Sequence, residues 1–460
     1  MTNKKHVDRM THGERRVALF LAGILSTRML GLFMILPVFA VYARELDGYS
    51  ATLAGLAVGI YGLSQALLQI PLGRLSDKVG RKPIIIGGLL MFILGSVVAA
   101  QADSITGVII GRALQGAGAI ASAIMALAAD LTREEHRMKV MAVIGMSIGA
   151  SFALALVLGP LLHGYFGMSG IFWVTAIMAG LGIVLVVFKV PTPVRTRFHR
   201  DAEVEWDWLR RLLTDGQLVR LDAGVFILHL ILTALFMTIP LILQDKMGLH
   251  VDNHWQIYLP VLLLSVVMAG PFIMLAEKRR QLREVTVLAV AGLGVAVFGL
   301  WLWSHHLEVI IGMLIVFFAC FNVLEAGMPS FIAKVAPAAH KGSAMGGYTS
   351  AQFLGAFVGS LIGGALHDVA SPQTVFLLCG GLVSVWLLLL IGLRQPPYCS
   401  SQMLNVGVID SRRAAALAHE LQQIPGVLEA VVIPEDGVAY LKVDKHSLDQ
   451  DALYAYSVSS

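Results

Sequence analysis

Charge is scarce in this chain. Lys, Arg, Asp and Glu make up 14% of its 460 residues, against about 25% in a soluble domain. Hydrophobic residues make up 57% and mean hydropathy is +0.76. That excludes a water-soluble globule and leaves a polytopic membrane protein. Cysteine is scarcer still. Cys320, Cys379 and Cys399 lie in or beside apolar runs without metal-ligand spacing, so neither a disulfide framework nor a metal site is expected. There is no phosphate loop and no nucleophile–base constellation, so the chain is not expected to be an enzyme or to need a cofactor. A cleavable signal is lacking as well, because Met1 to Arg16 is polar and basic and the first apolar run is long enough to span. The net charge of +4 is no argument for nucleic-acid binding, since the cations gather beside apolar segments.

What the chain has instead is long apolar runs. Taking a span as about 20 apolar residues, six precede the middle, at roughly 17–43, 51–73, 82–101, 104–129, 138–166 and 169–190. Six more follow, at roughly 219–244, 254–276, 285–304, 307–334, 342–368 and 372–394. Lys and Arg number five at the N-terminus, four in 74–82 and three in 133–139, while the alternate loops hold only Arg44. The N-terminus is therefore expected in the cytoplasm. Between the sets, Pro191 and Pro193 stop the sixth span. Trp206, Leu209, Leu212 and Leu213 then recur at helical spacing beside Arg210 and Arg211, which predicts an amphipathic helix on the membrane surface. Shifted by 200 residues, Pro71, Leu75, Asp77 and Lys78 fall on Pro271, Leu275, Glu277 and Lys278. The division this implies is an N-terminal six-helix half at 1–190, a linker at 191–218, a second half at 219–394 and a tail at 395–460.

The densest charge in the first half is Gly73-Arg74-Leu75-Ser76-Asp77-Lys78-Val79-Gly80-Arg81-Lys82. Gly73 and Gly80 permit a tight turn, and Asp77 stands among cations where a helix N-terminus could accept it. This stretch resembles the cytoplasmic signature loop of the major facilitator superfamily and matches it at every fixed position. Gly111-Arg112-Ala113-Leu114-Gln115-Gly116-Ala117-Gly118 resembles that family's fourth-helix motif. Gly145, Gly149 and then Leu158-Gly159-Pro160-Leu161-Leu162-His163-Gly164 resemble its antiporter motif, from which Ala153 and His163 depart. The resemblance implies a major facilitator fold of 12 helices in two six-helix halves. It also implies that an acid at Asp130 joins Arg81 in a charge cluster, where a solvated loop is the plainer reading. Asp77, in turn, would dock on the amides at Lys341-Gly342 when the transporter opens outward. Generic small-residue packing remains the alternative reading of the glycine row.

Polar residues inside the spans are the candidates for chemistry. Arg28 lies about 16 Å into the first span, near the midplane, where a guanidinium needs a wet cavity, an acid or backbone carbonyls. Arg112 poses the same choice. Gln65 and Gln69 share a face and either line a cavity or bond between helices. Glu325 sits in mid-span, where it suits proton coupling or a buried structural hydrogen bond. His229 reads first as a packing histidine, with proton relay as its alternative role.

The tail after Pro396-Pro397 reads as a soluble module. A strand at Val406 and Val408 leads to a helix from Arg412 to Gln423 and a strand at 427–433. A turn at Glu435-Asp436-Gly437 then gives a strand at 438–443, and Ser447 caps a last helix. The order β-α-β-β-α is a small α+β, ferredoxin-like domain. A transporter with these motifs and this tail is similar to the YajR-type transporters of bacteria, of drug:proton antiporter type. The resemblance extends to Met29-Leu30-Gly31 and Gln352-Phe353-Leu354-Gly355. It implies a multi-pass protein of the bacterial inner membrane with both termini cytoplasmic, exchanging a small amphiphilic compound for protons. The tail would bind the transporter's own cytoplasmic face or a regulator, or simply cap it. Uptake, or a membrane sensor with a vestigial cycle, are the competing readings.

Overall fold

The computed structural model describes residues 10–193, 214–337, 340–396, 400–407, 409–434, 437–444 and 447–457. The amphipathic linker helix expected around Trp206 lies outside them. The bundle begins with α1 (His12–Phe33) and α2 (Leu36–Tyr42), which form one pass interrupted where Pro37 starts the second piece. Thr11 and Glu14 close a reciprocal cap at the start of α1. Next come α3 (Ala51–Val79), α4 (Arg81–Ala100) and a fourth pass in two pieces, α5 (Ile105–Ala117) and α6 (Ala121–Asp130). The break in that pass falls where the Gly118 backbone presses on Gly88.

Helix α7 runs over Glu134–Phe188, but Gly167 inside it has φ +66°, which only glycine adopts cheaply. The run therefore makes two passes, meeting where the sequence pattern leaves its gap between 166 and 169. The second half comprises α8 (Gly216–Asp245), α9 (Trp255–Lys278), α10 (Leu282–Trp303), α11 (Leu307–Val335), α12 (Lys341–Val369) and α13 (Pro372–Ile391). Eleven runs among the described residues are long and apolar enough to span. With the longest one divided at Gly167, they make twelve passes.

Burial is inverted relative to a soluble protein. Leu94, Ile177, Leu181, Val267 and Leu388 are exposed on the bundle's outside, where lipid would cover them, while Arg28 and Arg112 are fully buried. Helices α8 and α3 each pack along α12, which ties the two halves together. With twelve passes, the start of α1 and the end of α13 lie on one side of the bundle, called here the terminal face; the opposite side is the far face.

The tail is a three-stranded sheet of β1 (Ser400–Asn405), β2 (Val427–Ile433) and β3 (Val438–Val443), ordered β1-β3-β2 with both pairings antiparallel. Helix α14 (Ser411–Gln422) and α15 (Gln450–Tyr454) complete the ferredoxin-like order. Two details differ from the sequence expectation. The first strand lies at Ser400–Asn405 and ends before Val406, because the polar run Ser400-Ser401-Gln402 carries little strand signal and is recruited by pairing with β3, while Val408 of the expected strand lies outside the described residues. The last helix is capped by Asp449, which accepts from the Ala452 amide, and not by Ser447. Residues 435 and 436 of the expected hairpin turn lie outside the described residues.

Candidate functional site

Each half buries one polar cluster in mid-bundle. In the first half Arg28 of α1 donates through Nη2 to the Tyr61 hydroxyl at 2.8 Å, to Gln65 Oε1 at 3.0 Å and to the Gln115 carbonyl at 3.4 Å. Arg112 of α5 donates to Gln115 Oε1 at 2.8 Å, and its guanidinium lies 4.8 Å from the centre of the Tyr61 ring. Gln115 passes the chain on to Ser96 at 2.7 Å. The aromatic face of Tyr61 thus holds two cations, an arrangement worth about 0.5–2 kcal/mol for each. Arg28 Nε and Nη1 and Arg112 Nε and Nη2 are buried without a partner among the described residues. Gln69 stands apart: its carbonyl accepts from Ser122 and its side chain joins neither arginine.

In the second half α8, α11 and α12 bring together His229, Glu325 and Gln352. His229 Nδ1 lies 3.1 Å from the Val225 carbonyl, so that nitrogen carries the proton and donates. Its Nε2 is then free to accept from Gln352 Nε2 at 2.8 Å. The same amide nitrogen donates to Glu325 Oε1 at 3.2 Å, while Glu325 Oε2 lies 3.7 Å from His229 Nε2. Gln352 therefore holds a neutral imidazole and a carboxylate side by side. Protonating His229 at Nε2 would place two donors face to face, and the imidazolium would turn to Glu325 instead. His229 thus has a hydrogen-bond partner on each ring nitrogen.

At the terminal face Arg81 joins Asp77 and donates through Nε to Asp130 Oδ2 at 3.3 Å, with Nη1 also on Ser76. Gly80 makes the turn at φ +103°, and Gly73 sits against Ser122, where a Cβ would come within 2.9 Å of the hydroxyl. Lys82 is half-buried on the first turn of α4. The degenerate copy in the second half keeps the logic. Glu277 accepts from Lys334 at 2.8 Å and from Ser330, which stands 200 positions after Asp130.

Polar contacts between the halves gather at the far face. Arg44 and Asp245 pair through two bonds of 2.9 and 2.8 Å. His163 Nδ1 lies 2.6 Å from Asp252 Oδ1. Asp368, at the end of α12, accepts from the Ala51 and Thr52 amides at 2.9 and 2.8 Å and from the Thr52 hydroxyl at 2.6 Å. Below these contacts Gly55, Gly59 and Gly62 of α3 press against the backbone of α12.

The glycine row of the fifth pass is only partly a packing element. Gly159 sits on the Met34 carbonyl beside Pro37, and Pro160 continues the helix next to it. Gly145 and Gly149 face open space, so the helix approach expected there is not made in this conformation. Both lie toward the terminal face, and Gly270 on α9 is equally open. Gly342 is buried in the first turn of α12, while Asp77 pairs with Arg81.

Comparison with known proteins settles the family. The model of the Major Facilitator Superfamily matches residues 19–324 and 271–402. The chain belongs to the major facilitator superfamily. It is 42% identical over 437 residues to the inner membrane transport protein YajR of Escherichia coli, covering 95% of this chain and 96% of that protein. The multidrug resistance protein MdtH of Aeromonas salmonicida is 26% identical over 361 residues, 75% of this chain and 86% of its own length. A bacterial homologue of the human lysosomal transporter Spinster superposes with a TM-score of 0.65 at 13% identity, over 83% of this chain and 97% of that one. A superfamily member of the YajR group, with these apolar helices, is a multi-pass inner-membrane transporter of small molecules.

Sequence reasoning quoted Gln115 and Gln352 only as parts of motifs, and passed over Tyr61 and Ser96. Tyr61, Gln115, Gln352 and Ser96 carry most of the hydrogen bonds that hold the named arginines, histidine and acid. Their signal was periodicity: Tyr61 is four residues before Gln65, and Gln115 three after Arg112, each on the face of its neighbour.

Proposed function

We propose that this transporter is a proton-coupled exporter of small amphiphilic compounds, working by alternating access, with its terminal face in the cytoplasm. The observation carrying this is the His229–Gln352–Glu325 cluster. A mid-bundle carboxylate beside a neutral imidazole, both held by one amide, can take up a proton and change partners as it does so. The arginine cluster of the first half gives the substrate cavity fixed positive charge. The Lys and Arg of the loops at 74–82 and 133–139 favour a cytoplasmic terminal face. MdtH, a multidrug resistance protein, is the relative whose name favours export.

Alternating access needs an outward-facing state. In it the Asp77 carboxylate leaves Arg81 for the amides at Gly342, a charge–dipole contact worth about 0.3–2 kcal/mol. The arrangement described above is the opposite state, closed at the far face. The tail reads as a regulator seated on the bundle, and the Arg280–Asp444 contact of 3.9 Å between them supports that role.

Everted vesicles with an acid interior and a pH-sensitive dye test the reading. Lipophilic cations, weak acids and sugars are added in turn to wild type and Glu325→Gln. Proton release triggered by one compound and lost in the variant supports antiport through Glu325. Release that persists in the variant moves coupling to another group, and silence across the panel favours uptake or sensing.

A further inference from the structure

The polar contacts between the halves at the far face differ in kind. Asp368 sits on backbone amides, and Arg44 pairs with Asp245. The third contains an imidazole, the side chain whose charge ordinarily changes between about pH 5 and 8. His163, one of the two departures from the antiporter motif, lies on α7 in the first half. Its Nδ1 is 2.6 Å from Asp252 Oδ1 in the second half. His250, also in the second half, reaches the other oxygen of that carboxylate, with Nδ1 3.0 Å from Oδ2.

Both partners of the crossing contact are held in place. Asp252 belongs to a short turn in which the Asn253 amide donates to the His250 carbonyl at 2.9 Å and the His254 amide to the Val251 carbonyl at 3.1 Å. The buried Val251 side chain anchors that turn in the core. Gly164, next to His163, packs on the turn, and a Cβ there would come within 3.1 Å of the Asp252 side chain. Tyr42, at the end of α2, meets the His163 ring edge-on with centres 6.3 Å apart. The His163 side chain is 17% exposed and that of Asp252 32%, so protons reach the pair while it is closed. Helices α8 and α9 also pack against the turn. The first brings Asp245, which is taken by Arg44, and at the start of the second His254 is buried with Nε2 3.1 Å from the Leu249 carbonyl.

We propose that His163 and Asp252 form a pH-operated latch between the halves: acid on the far side holds the far face shut, and alkali loosens it. The sign follows from the contact. A neutral imidazole donates one ordinary hydrogen bond to the carboxylate through Nδ1, whereas an imidazolium adds the opposite charge to that bond. Closure therefore favours the protonated ring, and by linkage protonation favours closure to the same extent. The step from a neutral to a charged hydrogen bond corresponds to about 5-fold to 10-fold in an equilibrium. When the halves part, His163 leaves with the first, while His250 stays beside Asp252 and keeps the carboxylate partnered. The latch rests on the alternating access of the reading above, and on neither its substrate nor its coupling ion.

The test measures the separation of the halves at the far face. Spin labels are placed at Gln101→Cys in the first half and Ala370→Cys in the second, both exposed there, on full-length protein without Cys320, Cys379 and Cys399. Distances in lipid nanodiscs are read by double electron–electron resonance between about pH 5 and pH 8. The ratio of closed to open protein is expected to fall by about 5-fold to 10-fold from the acid to the alkaline end. His163→Gln, whose amide still donates to Asp252 but does not titrate, should flatten that profile, and so should Asp252→Asn. His367→Gln, which removes an imidazole of α12 in electrostatic reach of Arg44 and Asp245, should leave the profile in place. A flat parent profile, or a slope that survives His163→Gln unchanged, overturns the latch, as does a slope abolished by His367→Gln. One unvarying separation at every pH, retained in Asp368→Asn, overturns alternating access with it. If His163→Gln fails to accumulate, Asp252→Asn decides alone.

Discussion

The contact between Asp368 and the start of α3 gives the conformational equilibrium a handle. Its two carboxylate oxygens take two backbone amides and one hydroxyl, at 2.9, 2.8 and 2.6 Å. The amides at a helix N-terminus have no partner within the helix and carry the positive end of its dipole. Asp368→Asn keeps the shape but loses the charge and one of the two acceptors. The charge–helix term is about 0.3–2 kcal/mol, and 1.4 kcal/mol is a factor of ten in an equilibrium. Removing the charge should therefore shift the balance toward the far-face-open state by about 2-fold to 30-fold.

The assay is cysteine accessibility from each side of the membrane, in a background without Cys320, Cys379 and Cys399. Ser360→Cys reports the far face, because Ser360 is fully buried where α12 meets Gly55 and Gly59. Gly145→Cys reports the terminal face, where it opens onto free space. Asp368→Asn should raise labelling at the first position and lower it at the second. Thr52→Val, which removes only the hydroxyl, should do the same more weakly. An unchanged ratio in folded, transport-competent protein would refute the assignment of Asp368 as a closing contact.

Gly59→Leu should also open the far face, since a Cβ there comes within 2.9 Å of the Phe357 backbone, whereas Gly149→Ala should leave the same labelling ratio unchanged. Gln352→Leu removes the amide that holds His229 and Glu325 apart; proton release should be lost while the protein folds, and retained release would show that the amide bridge is dispensable. Asp130→Asn strips Arg81 of one of its two acids, and the loss should appear as a lower melting temperature in detergent, because a buried charge left short of partners costs several kcal/mol, about 3–5 when the pair is fully buried.

The passes were legible because hydropathy and length fix them, and even the gap between 166 and 169 corresponds to the Gly167 kink. Strands β2 and β3 were legible for a related reason, since alternation and turn residues are local. β1 was not, because Ser400-Ser401-Gln402 owes its conformation to Leu441, Lys442 and Val443 across the sheet. The buried charges stood out in an apolar background, so Arg28, Arg112 and Glu325 could be named. Of their partners, Gln65 and His229 could be named, but not the other groups that hold them. Gln115, Gln352 and Tyr61 are unremarkable in composition, and only helix packing decides which amide meets which charge. Gly145 and Gly149 show the converse limit. A spacing that permits close packing does not say in which state of the transporter the packing occurs.

The two acids at the ends of one helix pair can be weighed against each other. Helices α3 and α12 run antiparallel, so the start of each lies beside the end of the other. Asp368, at the end of α12, is seated on the start of α3. Asp77, near the end of α3, is the acid proposed to seat on the start of α12 when the far face opens. Both contacts are a carboxylate on helix amides, so both draw on the same range of about 0.3–2 kcal/mol. They oppose each other, and their difference is small enough for one proton or one substrate to reverse. A direct consequence is cancellation. Asp77→Asn alone should favour the far-face-closed state and Asp368→Asn the open one. The double variant should return the labelling ratio of Ser360→Cys to Gly145→Cys close to that of the parent. A double variant that instead behaves like Asp368→Asn alone would mean that Asp77 contributes nothing to the balance and serves only to hold Arg81.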